Sequence, residues 1–371
     1  MIYILALILC IIYLIYFIWI SGSMFIDDTT NNIDNDLFVS IIVSIRNEQN
    51  NIIGLLDALV NQSYPNELFE IIIVNDRSTD NSSQIVKSYT SRYANISLIN
   101  IYETELGWGN KKWALNCAIN QAIGTVILQT DADCRPGADW IKSMARKFND
   151  YTVSFVFAAS PLKSNIKILN NFFEFESLSQ DSISAASSSR GIVMSCTGRN
   201  MGFRKSAFIK IGGYNGIEHF ISGDDDLLIQ KFASKTNDKI LFNYDKDSLV
   251  PSCAPNSLQQ FVNQRIRFAS KGIDYYSIDT TMAFKILLPL ILCVNISVLV
   301  SFYNIVTFGS VKWSLVFYCK LIADCILTYV FFKKISYRWN FISFLFLSFV
   351  HPLYITIFAI SAPFLEFRWK Q

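Results

Sequence analysis

The sequence predicts an α/β domain with a parallel sheet, joined to α-helices that cross a membrane. Strand-like and helix-like segments alternate from Leu37 onward, which is the pattern of a parallel sheet covered by helices. Residues 1–20 contain no charged side chain, and further apolar stretches lie at about 283–308, 311–332 and 341–364. Each stretch is long enough to cross a hydrocarbon core of roughly 30 Å as a helix.

Apolar runs of strand length predict buried strands in the α/β domain, and apolar residues at helical spacing predict helices. The predicted strands are 38–45, 69–74, 125–129 and 152–159. The predicted helices are 52–60 and 138–148. The run that ends at Gln129 is apolar throughout its core, which is typical of a strand buried on both faces.

The composition limits the classes of protein to consider. Of the 371 residues, 51% are hydrophobic and 15% aromatic, which favours a membrane protein. The formal net charge is only +2 and no block of Lys and Arg occurs, so a nucleic-acid partner has no electrostatic support. The eight cysteines lack paired spacing, and there are only two histidines. Neither a zinc site nor a disulfide framework is indicated, so carboxylates must carry any chemistry.

The chain is predicted to comprise four parts. They are an N-terminal transmembrane anchor at 1–22, the α/β domain at 37–250, an interfacial amphipathic segment at 251–280 and three transmembrane helices within 283–364. The anchor lacks the basic start of a cleaved signal peptide.

Basic residues between the last two spans predict the orientation in the membrane. Lys333, Lys334 and Arg338 place that loop in the cytoplasm by the positive-inside rule. The same geometry places the α/β domain on the cytoplasmic side of the cytoplasmic (inner) membrane. Within the middle span, Lys320 and Asp324 are four residues apart and are predicted to neutralise each other.

Polar residues follow the predicted strands, at the sheet edge where ligands of α/β proteins gather. Asp131 and Asp133 come directly after one strand, and two hard oxygen ligands suit Mg²⁺ or Mn²⁺ carrying a diphosphate. Arg46 and Glu48 follow the first strand, and Asp76 follows the second. A carboxylate in the position of Asp76 can accept hydrogen bonds from a base or ribose. The alternative is that these aspartates make only turn and cap bonds.

Two further groups of polar residues stand before or within predicted helices. Asp224, Asp225 and Asp226 crowd three carboxylates before a helix, which costs stability unless a cation, a helix N-terminus or a raised pKa relieves the repulsion. The alternative is simple helix capping. Gln264 and Arg267 are three residues apart and share a helix face. The alternative there, an amphipathic helix with Arg265, Arg267 and Lys271 at the lipid headgroups, is compatible with a ligand contact.

Four ordered segments resemble the successive motifs of the family-two glycosyltransferases, which have a GT-A fold. The segments are 43–48, 74–80, 111–116 and 129–133, and the resemblance extends from about Leu37 to Lys271. This sequence has Asn75 where the family usually has an aspartate and Asn110 where it usually has a glycine. Neither change removes a group that the chemistry requires.

The resemblance implies roles for individual residues. Asp76 would bind the nucleotide base, with Arg46 and Glu48 beside it. Lys111 and Asp131 would lie in the donor site, and Asp133 would hold the metal with Asp131 nearby.

The acceptor side of the site is also implied by the resemblance. Asn200 belongs to a Gly-X-Asn segment under the acceptor, and Gln264, Arg265 and Arg267 form a Gln-X-X-Arg motif that contacts diphosphate or acceptor. The general base is Asp225 if the motif is aligned on Gly223 and Leu228, and Asp224 if it is aligned on Asp226-Leu227; Asp225 is favoured. Residues 172–190 are predicted to form a flexible loop or a surface helix that also shapes the acceptor entrance.

The function expected from these features is an inverting transfer of a sugar, with Mg²⁺ or Mn²⁺, from a UDP- or GDP-sugar to a hydroxyl of a membrane lipid or lipid-linked acceptor. A processive polysaccharide synthase is the alternative enzyme, but three C-terminal spans and one anchor leave little protein for a polymer channel. A non-catalytic membrane binding protein with the same fold is the third possibility. It is disfavoured because the motif residues are all present.

Overall fold

The computed structural model describes residues 1–25, 37–272 and 274–365. In these ranges the strands are β1 Val39–Ile45, β2 Phe69–Asp76, β3 Ile96–Ile101, β4 Val126–Gln129, β5 Val153–Ala158, β6 Leu162–Lys163, β7 Met201–Arg204, β8 Lys239–Asn243 and β9 Ser252–Cys253. The α-helices are α1 Ile2–Ser23, α2 Ile52–Val60, α3 Ser82–Thr90, α4 Asn110–Gln121, α5 Trp140–Ala145, α6 Lys167–Ser188, α7 Lys205–Lys210, α8 Asp226–Lys235, α9 Leu258–Ala269, α10 Met282–Phe308, α11 Ser314–Lys334 and α12 Phe341–Ser361.

The described residues form two compact units. The α/β unit contains residues 37–163 and 193–253, and the helical unit contains residues 1–25, 164–192 and 254–365. This division differs from the predicted domain ranges, because residues 164–192 fall within the predicted α/β range of 37–250 but belong to the helical unit.

A seven-stranded sheet forms the centre of the α/β unit, in the order β3-β2-β1-β4-β7-β5-β8. Strand β7 is antiparallel to both of its neighbours, and the other pairs are parallel. A second sheet pairs β6 with β9. The sheet is therefore mainly parallel and lies among helices, which confirms the predicted α/β class.

The apolar runs of the sequence become the buried centre of this sheet. Every residue of β4 is buried, and every residue of β1 except the half-buried Ser44. Helix α2 presents Ile52, Leu55, Leu56 and Leu59 to the same core, at the spacing of an amphipathic helix. The prediction of a helix at 52–60 is confirmed to the residue.

The parallel register brings the ends of β1, β2 and β4 to one edge of the sheet. Ile45 is opposite Asn75 and Ile42 is opposite Gln129, so the residues after these strands share that edge. Strand β2 extends to Asp76 rather than ending at the predicted Val74. Asp76 is thus held by the sheet, and not by a turn.

Four helices of the helical unit are long and apolar enough to cross a membrane. They are Ile2–Ser23, Met282–Phe308, Val311–Lys334 and Phe341–Ser361. Gly309 adopts a left-handed conformation with φ of 61° and ends α10, which allows a tight turn into the next helix.

A polar contact joins two of these helices, α1 and α11. The Lys320 ammonium pairs with Asp324, as predicted, and the Tyr13 hydroxyl donates to the same carboxylate over 2.7 Å. The carboxylate is thereby satisfied inside an apolar helix bundle, where an unpaired charge would be costly.

Helix α6 corrects the prediction for residues 172–190, which was a flexible loop or a surface helix. The Ser- and Ala-rich half is a continuous part of α6, and Ser182, Ala185 and Ser187 are fully buried. Small side chains allow helices to approach closely. The hydroxyl of Ser182 donates to the carbonyl of Ser179 in its own helix, so burial leaves this hydroxyl satisfied.

Candidate active site

Lys111 lies between the Asp-X-Asp turn and the acidic cluster, which we define as Asp224, Asp225 and Asp226. Its ammonium is 3.0 Å from Asp131 Oδ1 and 2.8 Å from Asp224 Oδ2. Burial alone would lower the pKa of Lys111, but the carboxylates of Asp131 and Asp224 outweigh burial, so this pKa is raised. Lys111 is therefore a fixed cation that joins two motifs widely separated in sequence.

Asp224 has a second partner that sequence reasoning missed. Gln129, the buried last residue of β4, donates from Nε2 to Asp224 Oδ2 over 3.1 Å. The signal available in the sequence was a polar residue at the end of an otherwise apolar strand. Asp224 is held by one cation and one amide, and it is itself largely buried.

Asp225 is the N-cap of helix α8, as the capping alternative suggested. Its Oδ1 accepts from the backbone N–H of Asp226 over 2.7 Å. Its Oδ2 accepts from the backbone N–H of Gly198 over 2.8 Å. The repulsion among the crowded carboxylates is thus relieved by a cation at Asp224 and by a helix N-terminus at Asp225, as the sequence predicted.

Gly198 packs directly against both carboxylates of the cluster. A Cβ atom there would lie 3.1 Å from Asp224 Oδ2, 3.3 Å from Gln129 Nε2 and 3.4 Å from Asp225 Oδ2. This position was predicted only as part of the segment under the acceptor. A side chain at this position would therefore crowd the acidic cluster.

Gly198→Ala is expected to lower turnover about tenfold, because both carboxylates must shift by a few tenths of an ångström and catalytic groups tolerate little misplacement. The overall fold should be retained, as judged by thermal unfolding. The matched control is Gly137→Ala, since no atom of the described residues lies within 4 Å of a Cβ at Gly137. Equal rates for the two variants would contradict the expectation.

Asp76 is buried and faces two arginines. Arg77 donates from Nε to Asp76 Oδ1 over 2.9 Å, and Arg46 Nη1 lies 3.7 Å from Oδ2. Arg77 was missed by sequence reasoning, and it adopts a left-handed φ of 55°, a strained conformation for a long side chain. The structure therefore brings the predicted Arg46 and Asp76 together and adds a second guanidinium.

The turns after β1 and β2 are tied to each other. Asp80 accepts from the backbone N–H groups of Gln49 and Ser82, each over 3.0 Å. The Glu48 carboxylate accepts from Asn51 Nδ2 over 2.8 Å. Asp80 thus makes the turn bonds of the alternative interpretation, and Glu48 supports the start of helix α2 beside the predicted nucleotide site.

The Asp-X-Asp turn offers oxygen ligands for a divalent metal. In the described ranges, no group of three or more His, Cys, Asp or Glu side chains could hold a metal ion by itself. Asp131 and Asp133 would therefore need further oxygens, from water or a bound diphosphate, to complete a metal shell, and Mg²⁺ commonly takes both. The donor set, two carboxylates at the end of a buried strand, fits such a shared metal.

One family model matches most of the α/β unit together with the intervening residues 164–192. Residues 40–212 match the model described as glycosyl transferase family 2. The chain contains a family 2 glycosyltransferase domain. The match confirms the predicted family and supports the predicted enzyme class, a glycosyltransferase.

Curated relatives of this glycosyltransferase domain are similar over part of their length. Glycosyltransferase AglE of Haloferax volcanii is 30% identical over 105 residues, which cover 28% of this chain and 33% of that protein. Beta-monoglucosyldiacylglycerol synthase of Nostoc sp. is 27% identical over 209 residues, which cover 55% of this chain and 43% of that protein. The chain matches less than half of the length of either relative.

One solved structure is similar over nearly the whole chain. The mannosyltransferase PcManGT of Pyrobaculum calidifontis, solved with GDP-Man and Mn²⁺, has a TM-score of 0.62 and 18% identity, and the match covers 98% of this chain and 97% of that one. At this identity the similarity concerns the fold alone. It confirms the predicted GT-A fold with additional apolar helices.

Asn200 of the glycosyltransferase domain was predicted to contact diphosphate or acceptor, and the structure corrects this. Asn200 is fully buried. Its Nδ2 donates to the carbonyl oxygens of Ala159 and Ser248, and its Oδ1 accepts from Trp140 Nε1 over 3.0 Å. Every polar atom of the amide is used inside the domain, so Asn200 supports the fold beneath Gly198.

Arg265 also differs from its predicted role at a diphosphate, an acceptor or the lipid headgroups. It is buried in the helical unit, where it donates to Glu176 Oε2 over 2.6 Å. The Tyr354 hydroxyl donates to the other oxygen of Glu176 over 2.8 Å. Lys271 is buried as well, so it too does not meet the headgroup prediction. Arg265 links α9 to α6 instead.

Gln264 and Arg267 are half-buried on helix α9. Gln264 Oε1 is buried and has no hydrogen-bond partner among the described residues. The guanidinium of Arg267 lies 5.2 Å from the ring of Phe268. A role of these two side chains at a diphosphate or an acceptor stays a prediction.

Arg265→Met is expected to destabilise the helical unit by about 3–5 kcal/mol, because Glu176 would remain buried without its counter-ion. The measurement is thermal unfolding of the full chain in detergent. Arg338→Met is the matched control, since Arg338 is exposed in the same unit. A shift of the same size in both variants would contradict a buried ion pair.

Proposed function

We propose that this chain is an inverting glycosyltransferase that moves a sugar from a nucleotide-sugar donor to a hydroxyl of a membrane lipid or lipid-linked acceptor. The observation that carries this proposal is the contact of Lys111 with both Asp131 and Asp224. It joins the turn expected to hold the donor diphosphate to the cluster expected to hold the base. The groups expected to bind the donor and the groups expected to activate the acceptor are thus separated by a single side chain, that of Lys111.

Each residue has a specific task in this reaction. Asp133 and Asp131 would hold Mg²⁺ or Mn²⁺, which neutralises charge on the leaving diphosphate when it is bound. Lys111 adds a fixed positive charge at the same place. Asp76 accepts hydrogen bonds from the base, with Arg46, Arg77 and Glu48 around it.

Asp225 receives the proton of the acceptor hydroxyl as that oxygen attacks the anomeric carbon. Two backbone N–H groups fix its carboxylate in place, and its half-exposed position leaves it accessible to an acceptor. A general base must lie within hydrogen-bond reach of the proton that it takes. Attack from the face opposite the leaving group inverts the anomeric configuration.

Two features favour a lipid acceptor. The described part of the chain carries four helices that are long and apolar enough to cross a membrane, and these would be superfluous for a soluble acceptor. The Nostoc relative is named for a monoglucosyldiacylglycerol product. We place the domain at the cytoplasmic face of the inner membrane, from the basic loop at Lys333, Lys334 and Arg338, with Gln264 and Arg267 near the diphosphate or acceptor.

The test uses the full chain purified in detergent, with UDP- and GDP-sugars, a membrane lipid extract and Mn²⁺ or Mg²⁺. We expect release of nucleoside diphosphate that requires the lipid and stops when EDTA removes the metal. Asp133→Asn should lower the rate by about 100-fold, whereas Asp247→Asn, an exposed aspartate, should not change it.

The lipid product is then analysed by mass spectrometry and NMR. One added sugar with inverted configuration supports the proposal, and a long polymer supports a processive synthase. A retained configuration would contradict the role of Asp225. Binding of nucleotide without release from any donor would favour a non-catalytic binding protein.

A further inference from the structure

Two buried lysines hold the loop that delivers the acidic cluster, which we call the α7–α8 loop, residues 211–225. Lys231 Nζ donates to the carbonyl oxygens of Gly212, Gly213 and Asn215 at the start of the loop. Lys112 Nζ donates to the carbonyl oxygens of Phe220 and Ser222, each over 2.7 Å. Both lysines are at most 4% exposed. Charge-assisted bonds of this kind are stronger than neutral ones.

Lys112 lies beside Lys111 on the first turn of α4, which also touches the α7–α8 loop through its backbone. The N–H of Gly109 donates to the carbonyl of Glu218 over 2.8 Å. A Cβ at Gly109 would lie only 2.4 Å from the carbonyl oxygen of Phe220. The start of α4 and the second half of the α7–α8 loop therefore pack tightly against each other.

The two neighbouring lysines contact different groups of the same site. Lys111 contacts the side chains of Asp131 and Asp224, and Lys112 contacts the backbone just before Asp224. Gly223 immediately precedes Asp224 and has a φ of 90°. The turn into the acidic cluster therefore depends on a backbone conformation that favours glycine. The backbone that leads into Asp224 and Asp225 is thus attached to the first turn of α4 by the Lys112 bonds.

We propose that Lys112 is a positioning residue that couples donor binding to the placement of the general base. A diphosphate that attracts Lys111 acts on the first turn of α4, and Lys112 keeps the end of the α7–α8 loop attached to that turn. The base is then aligned when the donor is present. This inference rests on the proposed transfer reaction and gives a coupling role to Lys112, a residue for which the sequence motifs predicted no role.

The first experiment compares Lys112→Met with Lys231→Met in the full chain. Both variants lose buried bonds to the same loop, so both are expected to unfold at lower temperature. Lys112→Met should also lower turnover of the folded enzyme by about 100-fold, with the donor KM changed by less than about threefold. Lys231→Met should retain turnover within about threefold, because its carbonyl partners are at the start of the loop in sequence, whereas those of Lys112 are next to Asp224 in the chain. Unchanged turnover in Lys112→Met, or equal losses in both variants, would overturn the inference.

The second experiment needs no acceptor and uses UDP or GDP with Mn²⁺ as the probe. In the wild-type chain, nucleotide should slow amide hydrogen exchange of residues 216–224. In Lys112→Met, nucleotide should still bind, as measured by calorimetry, but this protection should be lost. No effect of either nucleotide on exchange in the wild type would also overturn the coupling. Protection by nucleotide in a wild-type chain that transfers no sugar would sustain the coupling and contradict the proposed function alone.

Discussion

Asp225→Asn is expected to lower the rate of sugar transfer by about 1,000-fold while the protein stays folded, because an amide cannot take the proton of the acceptor hydroxyl. The carboxylate of Asp225 is fixed by the N–H groups of Gly198 and Asp226. The loss should therefore appear in kcat, with little change in donor KM. The measurement is steady-state kinetics at varied donor and acceptor, with thermal unfolding as the check on folding.

Asp224→Asn is expected to behave differently, because Asp224 pairs with Lys111 over 2.8 Å. Removing its charge frees the ammonium that contacts the donor site, so donor KM should change together with kcat. Asp247→Asn serves as the control for both variants. A large loss confined to kcat in Asp224→Asn, with Asp225→Asn nearly active, would assign the base to Asp224 and select the alternative alignment of the motif.

The elements that sequence patterns predicted well are those with a clear pattern of apolar residues. Strand β1 is a mainly apolar run that is buried almost throughout, and helix α2 repeats its buried residues at the 3.6-residue period of one helix face. Asp76 and Asp131 were predicted from a second signal: Asp76 is the last residue of an apolar strand, and Asp131 follows the end of another. Such positions are rare enough in a buried sheet to stand out.

The residues that sequence patterns missed or assigned wrongly depend on contacts between distant segments. Gln129 gains its importance from Asp224, which is far away in the chain. Arg265 looks like a surface charge until its partner Glu176 is known. A local sequence pattern indicates which residues of an element are buried, but it does not indicate which distant residue a charged side chain will pair with. The sequence alone therefore does not distinguish a buried ion pair from a contact with lipid headgroups.

The acidic cluster shows how the fold combines stability with chemistry. Three successive carboxylates would repel one another, yet each has a neighbour that offsets its charge or dipole. Asp224 has the Lys111 ammonium, Asp225 caps α8, and Asp226 accepts from the N–H of Leu227 over 2.8 Å. These same contacts orient the carboxylates, so the groups that stabilise the cluster also fix the direction of each side chain.

Lys111→Met is expected to change turnover and metal affinity in opposite ways. Turnover should fall by about 100-fold, because the leaving diphosphate loses a fixed positive charge. Without nucleotide, the affinity for Mn²⁺ should rise by about tenfold, because the ammonium 3.0 Å from Asp131 no longer repels the metal. Calorimetry with Mn²⁺ alone gives the affinity, and nucleoside diphosphate release gives the turnover.

Lys142→Met is the matched control, since Lys142 is exposed on α5 and its removal should change neither quantity. The opposite signs separate this model from a structural one. If Lys111 only held the fold together, its loss would weaken metal binding and turnover together. If Asp131 were not a metal ligand, Mn²⁺ affinity would stay unchanged while turnover fell. Only a cation that shares Asp131 with the metal, and then serves the leaving group, predicts tighter metal binding in a slower enzyme.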